Sequence, residues 1–230
     1  MKCAILAAGK GLRMRPLTEH TPKPLILLNN KPFLEYLLNN IKKAGFDDIA
    51  IIIGYKGEQI IEWSHKNKFK INFIEQKEQK GTADAINLLK NWAGNEQFVV
   101  LMGDNLYSPI DLNSLKEKDE YCKILSLKGD SRPFGELITE KDFLVRIREK
   151  APDIITGLIN AGAYKFTPEI FEEIKILKPS PRGEYEITDA LTALAQERKV
   201  KVIQIKDYWI NFSSIDDIKT TEDFLKKSNT

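Results

Sequence analysis

Three short, almost wholly apolar runs, residues 2–8, Ile49–Ile53 and Phe98–Met102, constrain the fold of this chain more than any other feature. Runs of that length and character read as strands covered on both faces. Between the first two, Leu34, Leu37, Leu38 and Ile41 recur at the three-four spacing of one helical face, with Pro32 at the entry and Gly45 at the end. The order then repeats, with a short helix over 59–64, a strand over 71–75, a helix over 82–92 and the third apolar run. Such alternation predicts an α/β fold, a mixed, mainly parallel sheet flanked by helices. In sheets of that kind ligands collect at the carboxyl ends of the strands.

After about residue 105 the rhythm changes. Strands are expected over 121–127, 136–139, 143–148 and 158–166, helices over 168–176 and 184–198, a strand over 200–205 and a helix over 215–227. No linker, repeat or low-complexity tract divides the 230 residues. The reading is therefore one domain, 1–230, with one half over 1–110 and a second over 111–230. Thirty-five basic against 33 acidic residues leave a formal charge of +2, which gives no bulk electrostatic case for nucleic acid or a membrane surface. Any anion site must be local. Cys3 and Cys122 lie in strand-like runs without a CxxC or Cys/His neighbourhood, as core thiols of a reducing compartment do. No apolar run approaches a membrane span, so a cytoplasmic location is expected. His20 and His65, far apart in sequence, make no metal or triad argument, and Trp63 and Trp92 read as core.

The chemistry concentrates after the first strand, in Leu6-Ala7-Ala8-Gly9-Lys10-Gly11-Leu12-Arg13, followed by Pro22-Lys23-Pro24. Small residues and glycines at a strand end let backbone N–H groups approach phosphate oxygens. Two of the chain's seven arginines fall in this loop, at 13 and 15. Met14 stands where GxGxxG needs a third glycine, and no Gly-Lys-Ser/Thr follows, so neither the dinucleotide fingerprint nor Walker A is present. Read alone, the loop is a phosphate site or a basic surface turn. Asp104 is likewise a magnesium ligand or a turn residue, Lys150 a phosphate contact or a solvated lysine, and Asn160 a ligand contact or a strand amide bonded to backbone.

The run as a whole closely resembles the signature of the sugar-phosphate nucleotidylyltransferases, the nucleotide-sugar pyrophosphorylases, in which GxGxR precedes Pro-Lys-Pro. The resemblance extends along nearly the whole chain. Gln76 with Gly81-Thr82-Ala83 resembles the family's base-reading segment and Gly103-Asp104-Asn105 its metal-binding aspartate. Phe134-Gly135-Glu136, Glu149-Lys150, Asn160-Ala161-Gly162 and Trp209-Ile210-Asn211 resemble its sugar and sugar-phosphate contacts, in family order. It implies a Rossmann-like fold of the nucleotide-diphospho-sugar transferase type. The members it looks most like are glucose-1-phosphate thymidylyl- and uridylyltransferases. It further implies Arg13 and Lys23 as catalytic cations, and Leu6, Ala8, Gly9, Gly11, Gln76, Gly81 and Thr82 as the nucleotide site. Gly135, Glu149, Lys150 and Asn160 would hold the sugar phosphate, and Asp104 with Asn211 would hold Mg²⁺. The sequence stops soon after the 215–227 helix, so neither the left-handed β-helix of bifunctional members nor their acetyltransferase activity is expected within it.

The implied reaction joins a sugar-1-phosphate, glucose-1-phosphate first, to the α-phosphate of an NTP and releases pyrophosphate. The nucleophile is already an anion, so alignment and charge neutralisation suffice. The substrates are the only partners expected, with no nucleic acid or membrane and with oligomeric state open, a homo-oligomer included. Gln76 can accept from a pyrimidine N3–H and donate to a ring carbonyl, which favours UTP or dTTP. Guanylyltransferase specificity toward mannose-1-phosphate, a glycosyltransferase that consumes an NDP-sugar, and a non-catalytic nucleotide sensor are the alternatives. Against the glycosyltransferase, Asp104 is followed by Asn105-Leu106 rather than completing DxD. Asn211 stands where many family members carry Asp, and Ser213-Ser214 replaces a frequent Gly-Thr. A weaker metal site is the expected consequence.

Overall fold

A computed structural model describes residues 1–149 and 156–228. The first apolar run is β1 (Lys2–Ala7). A loop and a small hairpin, β2 (Leu27–Leu28) and β3 (Lys31–Pro32), lead into α1 (Phe33–Lys43). There Leu34, Leu37, Leu38 and Ile41 are all fully buried, as their spacing requires. Then follow β4 (Ile49–Ile53), α2 (Gly57–Lys66), β5 (Asn72–Glu75), α3 (Thr82–Asn87), α4 (Lys90–Ala93) and β6 (Phe98–Met102). The second half holds β7 (Asn105–Tyr107), α5 (Pro109–Ser114), β8 (Cys122–Gly129), β9 (Gly135–Glu140), β10 (Phe143–Glu149) and β11 (Gly157–Phe166). It closes with α6 (Ile170–Ile176), α7 (Ile187–Gln196), β12 (Val200–Gln204), β13 (Trp209–Asn211) and α8 (Asp217–Ser228).

One sheet has the order β5-β4-β1-β6-β11-β8-β12-β10-β9. β5, β4, β1 and β6 are parallel, as the alternation predicts. Beyond β6 the pairings are antiparallel except for β8 with β12, so the mainly parallel expectation describes the first half and the mixed one the whole. Side chains alternate between two faces. Ile5, Ile51, Val99 and Leu101 pack toward α1 and α8, while Ala4, Ile52, Phe98 and Val100 pack toward α3, α6 and α7. Both faces are thus dry, which is why these strands contain almost no polar residue.

Three local expectations change. The segment 82–92 is two helices: Leu89 N–H bonds to the Ile86 carbonyl, a tightened turn that leaves Leu88 exposed and buries Leu89. Asn105–Tyr107, where the sequence predicts neither strand nor helix, pairs with Trp209–Asn211 as a separate two-stranded ribbon. Trp63 and Trp92 are half-buried: Trp63 stacks on Phe69, and the Trp92 indole donates to Asp48. At the opposite end of the sheet from the carboxyl ends of β1 and β6, Lys123 and Lys165 are buried side by side on β8 and β11. Both ammonium groups bond to Asp119, and Lys123 also to Glu117.

Candidate active site

The carboxyl ends of β1 and β6 open into a cleft of about 700 Å³. Its floor is made by Leu6, Ala7 and Ala8, and one wall by Gly9, Gly11, Leu12 and Arg13. Gly11 is left-handed and starts the 3-10 turn that carries Arg13. Gly103 lies against β1, its N–H on the Leu6 carbonyl at 2.9 Å, and a Cβ there would stand 2.5 Å from that oxygen. This close approach sets Asp104 beside the glycine loop. Lys23, on the 3-10 turn of the Pro-Lys-Pro segment, reaches across with Nζ 2.7 Å from Asp104 Oδ2.

The opposite wall holds Gln76, Gly81 and Thr82. Gly81 has φ +114°, and a Cβ on it would lie 2.7 Å from the Tyr185 nitrogen and closer still to its oxygen. The position therefore requires glycine. Thr82 Oγ accepts from Ile187 N–H, tying the start of α3 to the start of α7. Gln76 Nε2 donates to the Gly81 carbonyl at 3.2 Å and to Asp84 Oδ2 at 2.8 Å. Both hydrogens of that nitrogen are therefore committed within the protein, which removes the donating arm expected for the base. Gln79 was not singled out by the sequence; it lines the cleft and donates to the Ala8 carbonyl at 2.6 Å.

Asn211 joins this site through its neighbours. Phe212 N–H donates to the Asp104 carbonyl at 2.8 Å, and Ser213 lines the cleft. Asp217 Oδ2 accepts from the backbone N–H groups of Ser213 and Ser214, each at 2.7 Å, and from both hydroxyls. With its proton on Asp217, Ser213 Oγ accepts from Asn211 Nδ2 at 2.8 Å. The amide oxygen of Asn211 is the end left for a cation. One carboxylate and one amide oxygen fit magnesium, which keeps most of its shell as phosphate and water. The serines that depart from the family pattern thus orient the metal-ligand candidate.

Of the sugar-side residues, Gly135 and Asn160 do not line this cleft. Asn160 sits at a register shift in β11, its Oδ1 taking Gly162 N–H and its Nδ2 donating to the Tyr164 hydroxyl. The Tyr107 hydroxyl bonds the carbonyls of Ala161 and Gly162, and the Trp209 indole bonds Ala161, so the ribbon grips this bulge. Burial, with the Asp104 charge adding to it, pushes the Tyr107 hydroxyl well above its usual range, so it stays a donor. Phe134, ahead of Gly135, meets Trp209 edge to face at 5.3 Å. Gly135 pairs through its backbone with Glu149. The Glu149 side chain and Lys150 lie outside the described residues.

Residues 2–228 match the nucleotidyl transferase family. The chain belongs to that family. It is 38% identical, over its whole length, to the bifunctional protein GlmU of Methanocaldococcus jannaschii, of which it covers 56%. It is 33% identical to a bifunctional sugar-1-phosphate nucleotidylyltransferase/acetyltransferase of Sulfurisphaera tokodaii, covering 92% of this chain and 52% of that protein. The chain thus spans about half the length of these relatives. A UDP-glucose pyrophosphorylase solved with UDP-glucose superposes with a TM-score of 0.84 at 25% identity, covering 99% of this chain and 98% of that one. Among the described residues of this nucleotidyl transferase family member, no helix is long and apolar enough to cross a membrane.

Proposed function

We propose that this chain transfers a nucleotidyl group from UTP or dTTP to a sugar-1-phosphate, glucose-1-phosphate first, giving an NDP-sugar and pyrophosphate. The observation that carries the reading is the convergence of a glycine loop, Arg13, Lys23 and Asp104 at the carboxyl ends of two adjacent parallel strands. A sugar-phosphate oxygen attacks the α-phosphorus. The bond from that phosphorus to the bridging oxygen breaks, and pyrophosphate leaves with the electron pair.

The backbone N–H groups at Gly9 and Gly11 face the phosphates. Arg13 and Lys23 neutralise the charge that grows on the departing group, where fixed cations act most strongly. Asp104 and the oriented oxygen of Asn211 would hold Mg²⁺, which when bound supplies further positive charge to the phosphate oxygens. Lys23 and Asp104 neutralise each other at 2.7 Å, so the cleft carries the cation for phosphate and the anion for a metal already adjacent. Gly135, Glu149, Lys150 and Asn160 are assigned to the sugar phosphate, and residues 1–110 and 111–230 to the nucleotide and acceptor halves of one domain.

The test is a matrix of four NTPs against hexose-1-phosphates, read by pyrophosphate release. Release with UTP or dTTP and glucose-1-phosphate is expected. No release from any pair would remove the assignment, and release with CTP alone would overturn the base preference.

A further inference from the structure

Asp84, in the first turn of α3, has no part in the reaction just described. Among the described residues its carboxylate makes one hydrogen bond, to Gln76 Nε2. The second hydrogen of that nitrogen goes to the Gly81 carbonyl. A carboxylate and a carbonyl can only accept, so the end of Gln76 turned toward them is the amino end. A terminal amide has two orientations, and these partners leave it one. Among the described residues nothing donates to Gln76 Oε1, and the side chain lines the nucleotide cleft.

We propose that Asp84 is a specificity-determining positioning residue: by holding the amino end of Gln76, it presents the nucleotide base with a hydrogen-bond acceptor alone. The inference rests on the nucleotide reading of this cleft and deepens it. An acceptor there suits a base with a ring N–H at its pairing edge, as in uracil, thymine and guanine. Cytosine and adenine place a lone pair on the corresponding ring nitrogen, so oxygen would face nitrogen with no proton between them. Turning the amide over to serve them would bring Oε1 against the Asp84 carboxylate and the Gly81 carbonyl together. Discrimination therefore lies in the Asp84 contact as well as in Gln76 itself.

Equilibrium titration of UTP and CTP into the unaltered protein, Asp84→Ala and Asp84→Asn tests this, with thermal melts as the folding check. The unaltered protein should prefer UTP by about tenfold or more. Asp84→Ala should lower that ratio by at least about threefold, because only one acceptor then restrains the amide. Asp84→Asn, whose own amide can follow Gln76 in either orientation, should fall between. Inorganic tripolyphosphate should bind all three alike. A folded Asp84→Ala with an unchanged UTP to CTP ratio overturns the proposal. If that variant does not fold, an unchanged ratio in Asp84→Asn does so. Equal or absent binding of both nucleotides by the unaltered protein overturns it as well. Failure of pyrophosphate release bears instead on the reaction, since the binding ratio is measured without turnover.

Discussion

At the scale of single residues, the roles proposed for Arg13 and Lys23 are those of cations that act most when substrate charge develops. Arg13→Ala and Lys23→Ala are each expected to lower turnover on the order of a hundredfold while moving Tm by less than about 4 °C. Steady-state rates with melting curves check this, and near-normal turnover in folded variants would remove both from the mechanism. At Asn211 the neutral amide gives a cation less than a carboxylate does, yet the Asp217–Ser213–Asn211 chain fixes its oxygen. Asn211→Asp should therefore tighten Mg²⁺ binding severalfold by calorimetry, and EDTA should abolish turnover of the unaltered protein. Unchanged affinity would exclude Asn211 as a ligand. The glycine loop was legible in sequence because its parts are contiguous. The orientations of Gln76 and Asn211 were not, because each depends on a partner whose geometry no motif records.

At the scale of elements, strands and helices with a full turn or more of apolar period could be read directly, as α1 and β4 show. The β7–β13 ribbon could not. Three residues are too few to display a period of two, and its halves are joined only by tertiary pairing. The buried lysines of β8 and β11 were also invisible, since a lysine in a strand pattern normally marks the wet face. Their counter-ion, Asp119, is raised by burial, but the bonds from Lys165 and Lys123 outweigh that and hold its carboxyl below the usual carboxylate range. A carboxyl depressed in the folded state contributes stability above its unfolded value of 3.8, and that stability fades as pH falls through the folded value. Asp119→Asn should cost on the order of 3 kcal/mol at pH 7, because it strands a buried ammonium. In urea melts the gap should narrow only below about pH 4. A gap independent of pH would mean that Asp119 acts by packing.

At the scale of the whole molecule, the first half supplies the cleft's glycine loop, Lys23, Gln76 and Asp104, and the second returns through Glu184 and Ser213 to line it. The sheet shows how late that return is. β12 lies between β8 and β10, pairing with β8 in parallel from Val200 to Gln204 and with β10 at Phe143. Every other strand of the sheet precedes it in the chain. A chain stopped at Gln196 should therefore aggregate, with light scattering as the measure, because one long edge of β8 has nothing to pair with. A clear, monodisperse solution of that fragment would refute the idea. During synthesis the same gap leaves a sticky seam open on the emerging polypeptide until residues 200–204 leave the ribosome. How long that seam stays open depends on the arrival of one five-residue strand.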